Sequence, residues 1–530
     1  MARIRVPITG FSFGEISPSF RMRTDSPAYT QAAESVKNFF VRAEGGVIKR
    51  PGTQRLYNFT QTYDSSVTQQ IRIEPFIFSD DEKYIVAFSA GKIEVFRIAL
   101  NGDVTLAATV TADTDSDSLP FTNSNIYQLT FAQRFDFMFI THSCFPFRML
   151  VRTGLTSFEV RKYSFDTSLD GNKTFQPYYS FQPTDMSITP SATTGSITLT
   201  TSGDYFASGQ VGTRLLIGET EVVLTAVASA TSATGTVKGT LQTRLDQNAI
   251  RTTNGSDIIE ITHALHGLEA GSSVTISEAG TVGGISASNI NGTYSIREII
   301  DENRYTVDTG HSASDSIDGG GAPLITSTAA QYTWYEQSYS DYRGFPQAIT
   351  FHEDRLWFGG TASQPDGLWG SKTGEYFNFD IGDAEDGDAI DIDANIGATN
   401  QIRHLVSNRD LQVFASQQEF YIPAFQDRAI TPANAKVSSQ TPFGSGFVRP
   451  QSIDGATLFV QATGTAVREF IFADSEGSYV GDMVSIASSH LINQPVQLAS
   501  VKGSLNRPGA YGFFLNQDGE IAVFYSIRNE

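Results

Sequence analysis

The chain of 530 residues is too long for one ordinary hydrophobic core, and 37 Lys+Arg against 57 Asp+Glu leave a formal charge of −20. That balance excludes a general affinity for nucleic-acid phosphates, which comes from basic surface. The single cysteine, Cys144, excludes an intramolecular disulfide and a cysteine-based zinc cluster, fits folding in a reducing cytosol, and is expected as a small buried apolar residue.

The N-terminal stretch MARIRVPITGFSFG has cations but no apolar run of signal-peptide length. No other segment reaches the roughly eighteen uninterrupted apolar residues of a membrane span, so a soluble chain is expected. SPAYTQAAESVKNFF predicts a helix: Ser26 caps, Pro27 takes the first helical position, and Tyr29, Ala32, Ala33, Val36 and Phe40 share a face. It leads into a sharp basic turn, AEGGVIKRPGTQR, from Ala43 to Arg55. Gly45 and Gly46 permit a tight reversal, Pro51 stops the next strand, and Lys49 and Arg50 are presented on the bend, with Arg21 and Arg23 just upstream. The turn reads either as a solvated element or as a docking element in which these four cations meet acidic groups.

From Gln70 to Phe165 short β-branched and aromatic runs alternate with Gly, Asp, Asn, Ser or Pro, which predicts strands. Ala90-Gly91 punctuates two runs, and Ile93 and Val95 alternate with Lys92 and Glu94, as a hairpin with one buried face requires. The same texture returns after Gln347, where paired runs straddle HED, NRD, ATG and NQDG. Strand, polar turn, strand at blade-like spacing on both flanks predicts a β-propeller or a large sandwich. Between them, from about Met186 to Gly320, the chain is rich in Ser, Thr, Ala and Gly and poor in aromatics. This middle reads as two small antiparallel β modules divided near Leu241.

Catalytic patterns are weak. GFSFG, Gly10 to Gly14, matches a nucleophile elbow in form but lacks the preceding core strand and following helix. GSKTG, Gly370 to Gly374, has Ser371 where a phosphate loop needs glycine before Lys372. His263 and His266 have metal-compatible spacing without a third His or Cys nearby, and FHEDRLWFG lacks the second histidine of a zinc-protease helix. No catalytic, cofactor-binding or metal-binding residue is therefore assigned. The strongest charge feature is DIGDAEDGDAIDIDAN, with Asp380, Asp383, Glu385, Asp386, Asp388, Asp391 and Asp393. It reads as a solvated acidic loop, a wall that repels a polyanion, or a calcium site lacking the usual loop register. No carboxylate pair stands out for glycoside cleavage.

Five separated segments carry a resemblance: FSFGEISPSFRMRTDSPAYTQAAESVKNFFVRAEGGVIKRPGTQ, LTFAQRFDFMFITHSCFPFRMLVR, FPQAITFHEDRLWFGGTASQPDGLWGSKTGEYFNF, NQIRHLVSNRDLQVFASQQEFYI and ITPANAKVSSQTPFGSGFVRPQ. Together, in this order, they resemble the tail nozzle (tail tubular protein B-like) family of short-tailed bacteriophages. The segment Asn248 to Asp308 resembles the small β module named after the first catalytic cysteine half-domain of ubiquitin-activating enzymes, and it contains no cysteine.

The resemblance implies a mainly β chain with a discontinuous β-propeller-like domain, inserted small antiparallel β modules and a short N-terminal helix. The divisions expected are residues 1–62 (arm, helix and basic turn), 63–180 (first part of the propeller), 181–243 and 244–330 (inserted modules) and 331–530 (second part of the propeller). It also implies a non-enzymatic homo-hexamer in the virion tail, made in the host bacterial cytoplasm. Its partners would be a tail tubular protein A-like adaptor ring, tail fibres or spikes, and genomic double-stranded DNA passing through without specific binding. Such chains usually continue beyond a segment like GEIAVFYSIRNE, so this sequence reads either as a short member or as one whose distal part is absent. On this reading Arg21, Arg23, Lys49 and Arg50 dock to the adaptor or a neighbouring subunit, and the acidic run lines the channel. The alternatives are a tail-associated carbohydrate-degrading enzyme and a host-surface adhesin.

Overall fold

The computed structural model describes residues 10–42, 44–59, 70–394, 400–424, 429–503 and 509–526. The expected division between 62 and 63 lies outside them. The chain forms two compact units: residues 1–163, 345–376 and 381–530, and residues 164–344 with 377–380.

The first unit is a six-bladed β-propeller. Each blade is an antiparallel sheet whose strands pair in sequence order, the last with three strands and the others with four. Blade one comprises Arg72–Ile77, Lys83–Ser89, Lys92–Ile98 and Val104–Val110; blade two comprises Thr130–Arg134, Phe137–His142, Phe145–Gly154 and Ser157–Lys162. Blade three has Ala348–His352, Arg355–Gly359, Gly367–Gly370 and Ile390–Asp393, and blade four has Ile402–Ser407, Leu411–Ala415, Glu419–Ile422 and Ser438–Thr441. Blade five has Gln451–Ile453, Ala456–Val460, Val467–Ala473 and Ser478–Met483, and blade six has Pro495–Val501, Ala510–Asn516 and Ile521–Ser526.

Local chemistry sets the hairpins. Ser89 pairs with Lys92 across Ala90-Gly91, and Gly91 supplies the positive φ of 64° that so short a reversal needs. His352 pairs with Arg355, and Glu353 and Asp354 between them both take positive φ. The expected solvent face of Lys92–Ile98 is not open, because Glu94 is buried. It pairs with Lys92 at 2.8 Å and accepts from the Tyr57 hydroxyl at 3.0 Å, so the segment after the basic turn covers this face.

Blade packing is largely aromatic. Phe76, Tyr84 and Phe158 meet edge to face in the core shared by blades one and two. Blades three and four share a second core, blades five and six a third. Gly360 lets these backbones close up: a Cβ there would sit 2.6 Å from the Ile402 carbonyl oxygen. The first strands of blades two, three and four lie beside one another, as do those of blades five and six, which places the first strand of each blade nearest the axis. Gln497 of blade six donates to the Ile73 carbonyl of blade one and closes the ring.

The second unit holds two sheets with separate cores. The first sheet is wider than the composition break suggests. Tyr178–Tyr179 pairs with Trp334–Gln337, which pairs in turn with Arg214–Ile217. Residues 164–180 and 331–344 thus belong to this unit and not to the propeller. Trp334 is fully buried in its core, so an aromatic run that reads like the flanks closes the insert.

Two local expectations fail. The helix expected from Ser26 is a single turn, Pro27–Thr30. Downstream, Ala32–Ala33 pairs in parallel with Gly14–Glu15, and the Glu15 carboxylate accepts from the Val36 amide at 2.6 Å. These contacts replace the helical bonds that residues 32–36 would need, and Asn38 then takes a left-handed φ of 64°. Cys144 is exposed, in the turn between two strands of blade two. Position within a hairpin outweighs the usual burial of a thiol. Among the described residues no helix is long and apolar enough to cross a membrane.

Candidate functional site

The basic turn is a hairpin of Phe39–Val41 and Val47–Lys49. Gly45, at a positive φ of 88°, allows its amide to donate to the Arg42 carbonyl at 3.0 Å. One side is fastened to blade six: the Phe40 ring meets Tyr511 and Phe513 edge-on, and the Tyr511 hydroxyl donates to the Val41 carbonyl at 2.9 Å. The second strand is open, with Val47, Ile48 and Lys49 all exposed. Arg42, Glu44, Gly46, Val47 and Ile48 line a shallow concavity there.

The four cations are not equally free. Among the described residues Lys49 has no ion-pair partner. Arg50 donates from Nε to Asn38 Oδ1 at 2.6 Å and so helps close the hairpin. Arg21 pairs with Glu34 at 2.8 Å and Arg23 with Asp25 at 3.0 Å. The hydrogen bond and charge of Asp25 raise the Arg23 guanidinium further above its already high range. Arg21 and Arg23 are therefore each paired on the surface of the arm, a pairing that the sequence reading did not foresee.

The acidic run is divided as well. Asp380 belongs to the second unit and pairs with Lys173 at 2.7 Å. Asp383, Glu385 and Asp386 are exposed. Asp388 pairs with Lys372 at 2.9 Å; partial burial opposes its ionisation, but the Lys372 ammonium and the Glu385 amide hold its carboxyl below the ordinary range. Arg355, buried in blade three, donates to the backbone carbonyls of Ser371, Asp386 and Asp388 at 2.7, 2.6 and 2.5 Å, anchoring the run from beneath.

Asp391 and Asp393 lie on the fourth strand of blade three, the strand farthest from the axis. Both carboxylates are on the exposed face of this strand; crowding by neighbouring atoms first and the Asp393 carboxylate second push the Asp391 carboxyl up to about 7. Asp393 is raised too, by burial and then by Asp366. The seven carboxylates thus make one free patch, two ion pairs and one hard-to-ionise pair, and not a uniform wall.

The other motifs are absorbed by structure. Ser12 of GFSFG donates to Gln31 Oε1 at 2.6 Å on the surface. In GSKTG, the buried Ser371 hydroxyl accepts from the Leu356 amide at 3.0 Å. His266 Nε2 donates to the Asp301 carbonyl at 3.0 Å and its Nδ1 accepts from the Leu268 amide at 2.9 Å. Burial, then His266, pushes the His263 imidazole down to about 4. Among the described residues no three His, Cys, Asp or Glu side chains gather as a metal site.

One cluster had no sequence signal. Arg72 and Arg449, from blades one and five, both face the Glu74 carboxylate, at 2.8 and 3.8 Å, although these positions are scattered through the chain. Only the repeated placement of a polar residue at the first strand of successive blades could have hinted at it.

No protein family matches the chain, and no curated protein matches it. Solved structures do overlap with it. The endosialidase of phage phi92 is 10% identical, with 75% of this chain and 56% of that one covered at a TM-score of 0.18. An auxiliary nutrient binding protein from Bacteroides thetaiotaomicron is 10% identical over 64% of this chain and 86% of its own, at 0.23. AztD from Citrobacter koseri is 11% identical over 82% and 90%, at 0.24. This chain thus spans little more than half of the endosialidase's length. Similarity at this level transfers no activity, and the propeller assignment rests on the six sheets themselves.

Proposed function

We propose that this chain is a non-enzymatic structural subunit of a short-tailed phage tail, a nozzle protein that assembles as a homo-hexameric ring below an adaptor ring. What supports this, beside the five-segment resemblance, is the hairpin Phe39–Lys49: clamped by Phe40 on blade six and open along Val47, Ile48 and Lys49. A rigid mount bearing exposed apolar groups and a cation with no ion pair among the described residues is what a docking edge needs, because little ordering entropy is lost when the partner arrives. In such a ring the acidic balance would repel the DNA backbone and let the genome slide past, where a basic wall would hold it by counterion release. Tail fibres or spikes would attach at the side.

The test is a negative-stain image of the purified protein with and without its adaptor. Hexagonal rings with a central hole are expected, and Val47→Asp with Lys49→Glu should abolish them without altering the β signal in circular dichroism. Particles that stay monomeric with the adaptor, or rings unaffected by the double change, would refute the reading.

A second reading, a carbohydrate-acting tail protein, is favoured by one observation. Asp391 and Asp393 stand side by side on an exposed strand with both carboxyls raised, Asp391 to about 7, and a carboxyl that keeps its proton is what general acid catalysis uses. Against it, Trp334, Trp357 and Trp369, all the tryptophans of the chain, are fully buried and present no sugar-stacking face. Saccharide release from host polysaccharide that disappears in Asp391→Asn would favour this second reading over the first.

A further inference from the structure

The basic hairpin is a sheet of two strands only, Phe39–Val41 and Val47–Lys49. Its internal bonds fall at alternate pairs: Arg42 donates to the Gly46 carbonyl at 2.9 Å, Phe40 stands opposite Ile48, and Arg50 donates to the Asn38 carbonyl at 2.9 Å. An antiparallel ladder turns the backbone groups of the intervening residues the other way. On the first strand the outward Val41 carbonyl is taken by the Tyr511 hydroxyl. On the second strand the amide and carbonyl of Val47 and of Lys49 point outward, and among the described residues nothing bonds to them.

The side chains around this edge are apolar and cationic. Val47 and Lys49 stand opposite Val41 and Phe39 and share their face, where Phe39 is 44% exposed; Ile48 lies on the other face and is 41% exposed. Between residues 37 and 50 the chain carries Lys37, Arg42, Lys49 and Arg50 against Glu44 alone, in a protein whose formal charge is −20. None of these four cations forms an ion pair among the described residues. Arg42 and Glu44 border the concavity that Val47 and Ile48 line.

A sheet edge with unpaired backbone groups is a template for one more strand. We propose that an extended acidic segment of a partner protein adds to Val47–Lys49 as a third strand, bonded through the outward amides and carbonyls of Val47 and Lys49. Charge selects the partner: four cations against one carboxylate favour acidic side chains along the added strand and repel a basic one. β-Branched residues between the acidic ones would cover Val47 and Phe39 on one face and Ile48 on the other. The Phe40 clamp on blade six already holds the edge in place, so the incoming strand has only itself to order. The inference rests on the reading of this hairpin as a docking edge; it names the partner's chemistry and does not require six-fold assembly.

The experiment titrates the full chain calorimetrically, at low salt, with a capped heptapeptide of alternating glutamate and valine. One control peptide has lysine in place of glutamate; another is N-methylated throughout, which keeps the charge and prevents strand pairing. Saturable binding of the acidic, unmethylated peptide alone is expected, and in its presence the Val47 and Lys49 amides should exchange with deuterium at least tenfold more slowly. Val47→Pro removes an outward donor and none of the hairpin's own bonds, so it should weaken binding at least tenfold. If proline disturbs the hairpin, Lys49→Glu replaces it and should weaken binding by a similar factor, while Arg251→Gln, exposed in the second unit, should leave it unchanged. No saturable binding of the acidic peptide, equal binding of the N-methylated one, or unchanged exchange at Val47 and Lys49 would overturn strand addition. Rings that form with the adaptor after such a result would leave the nozzle reading standing, and peptide binding without rings would refute the ring alone.

Discussion

Replacing Arg355 with Met tests whether the acidic run is anchored from within blade three. Arg355 is almost fully buried, and its three backbone acceptors, Ser371, Asp386 and Asp388, lie in the turn before the run and in the run itself. Burial pulls the guanidinium down while Asp388 and Glu353 support its charge, so it acts as a cationic donor. Charge-assisted bonds are worth about 1.5 kcal/mol or more each, and methionine refills most of the volume, so a net loss of about 3 kcal/mol is expected after allowing for non-additivity. The loss should be local, because the strands of blade three remain paired. At 1.4 kcal/mol per factor of ten, amides from Glu385 to Ala389 should exchange with deuterium about 100-fold faster while the paired strands of blade three and blade one are unchanged. Exchange within threefold of the unaltered protein across that segment would refute the anchoring.

Glu419 gives a pH-dependent outcome: burial pushes its carboxyl up from 4.5 to about 7, against the opposing Thr441 bond. A carboxyl raised on folding stabilises at low pH, so roughly 3 kcal/mol should be lost as pH climbs from about 4.5 to 7. Glu419→Gln should flatten that slope in denaturation curves and leave the variant the more stable form at pH 8. Phe40→Ala removes the two edge-on ring contacts that clamp the hairpin. At about 1 kcal/mol per aromatic pair, trypsin should cut after Lys49 some 10- to 30-fold faster, and an unchanged rate would show that the Tyr511 bond alone holds the hairpin.

How much of this was legible beforehand depends on the range of the interaction. Alternation of apolar residues, turn dipeptides such as Ala90-Gly91 and the return of aromatic runs after Gln347 are local signals, so the β class, the hairpins and a blade-like architecture on both flanks could be read directly. The propeller of six blades bears that reading out. Local signals misled where a distant partner competed. Residues 32–36 have a helical pattern, yet pair with Gly14–Glu15 and the Glu15 carboxylate. Glu94 alternates as a solvent residue, yet Tyr57 and Lys92 bury it. Trp334 reads as propeller, yet fills the core of the insert.

The charged features depended most on tertiary structure. Composition and motif order settled the sign of the charge and the positions of the acidic run and the basic turn. Which charges remain free was decided only when folding brought Glu34 to Arg21, Lys372 to Asp388 and Lys173 to Asp380. The meeting of Arg72 and Arg449 at Glu74 is the extreme case. Electrostatic energy depends on distance in space, and closing a six-bladed ring brings together positions hundreds of residues apart that no window along the chain can join.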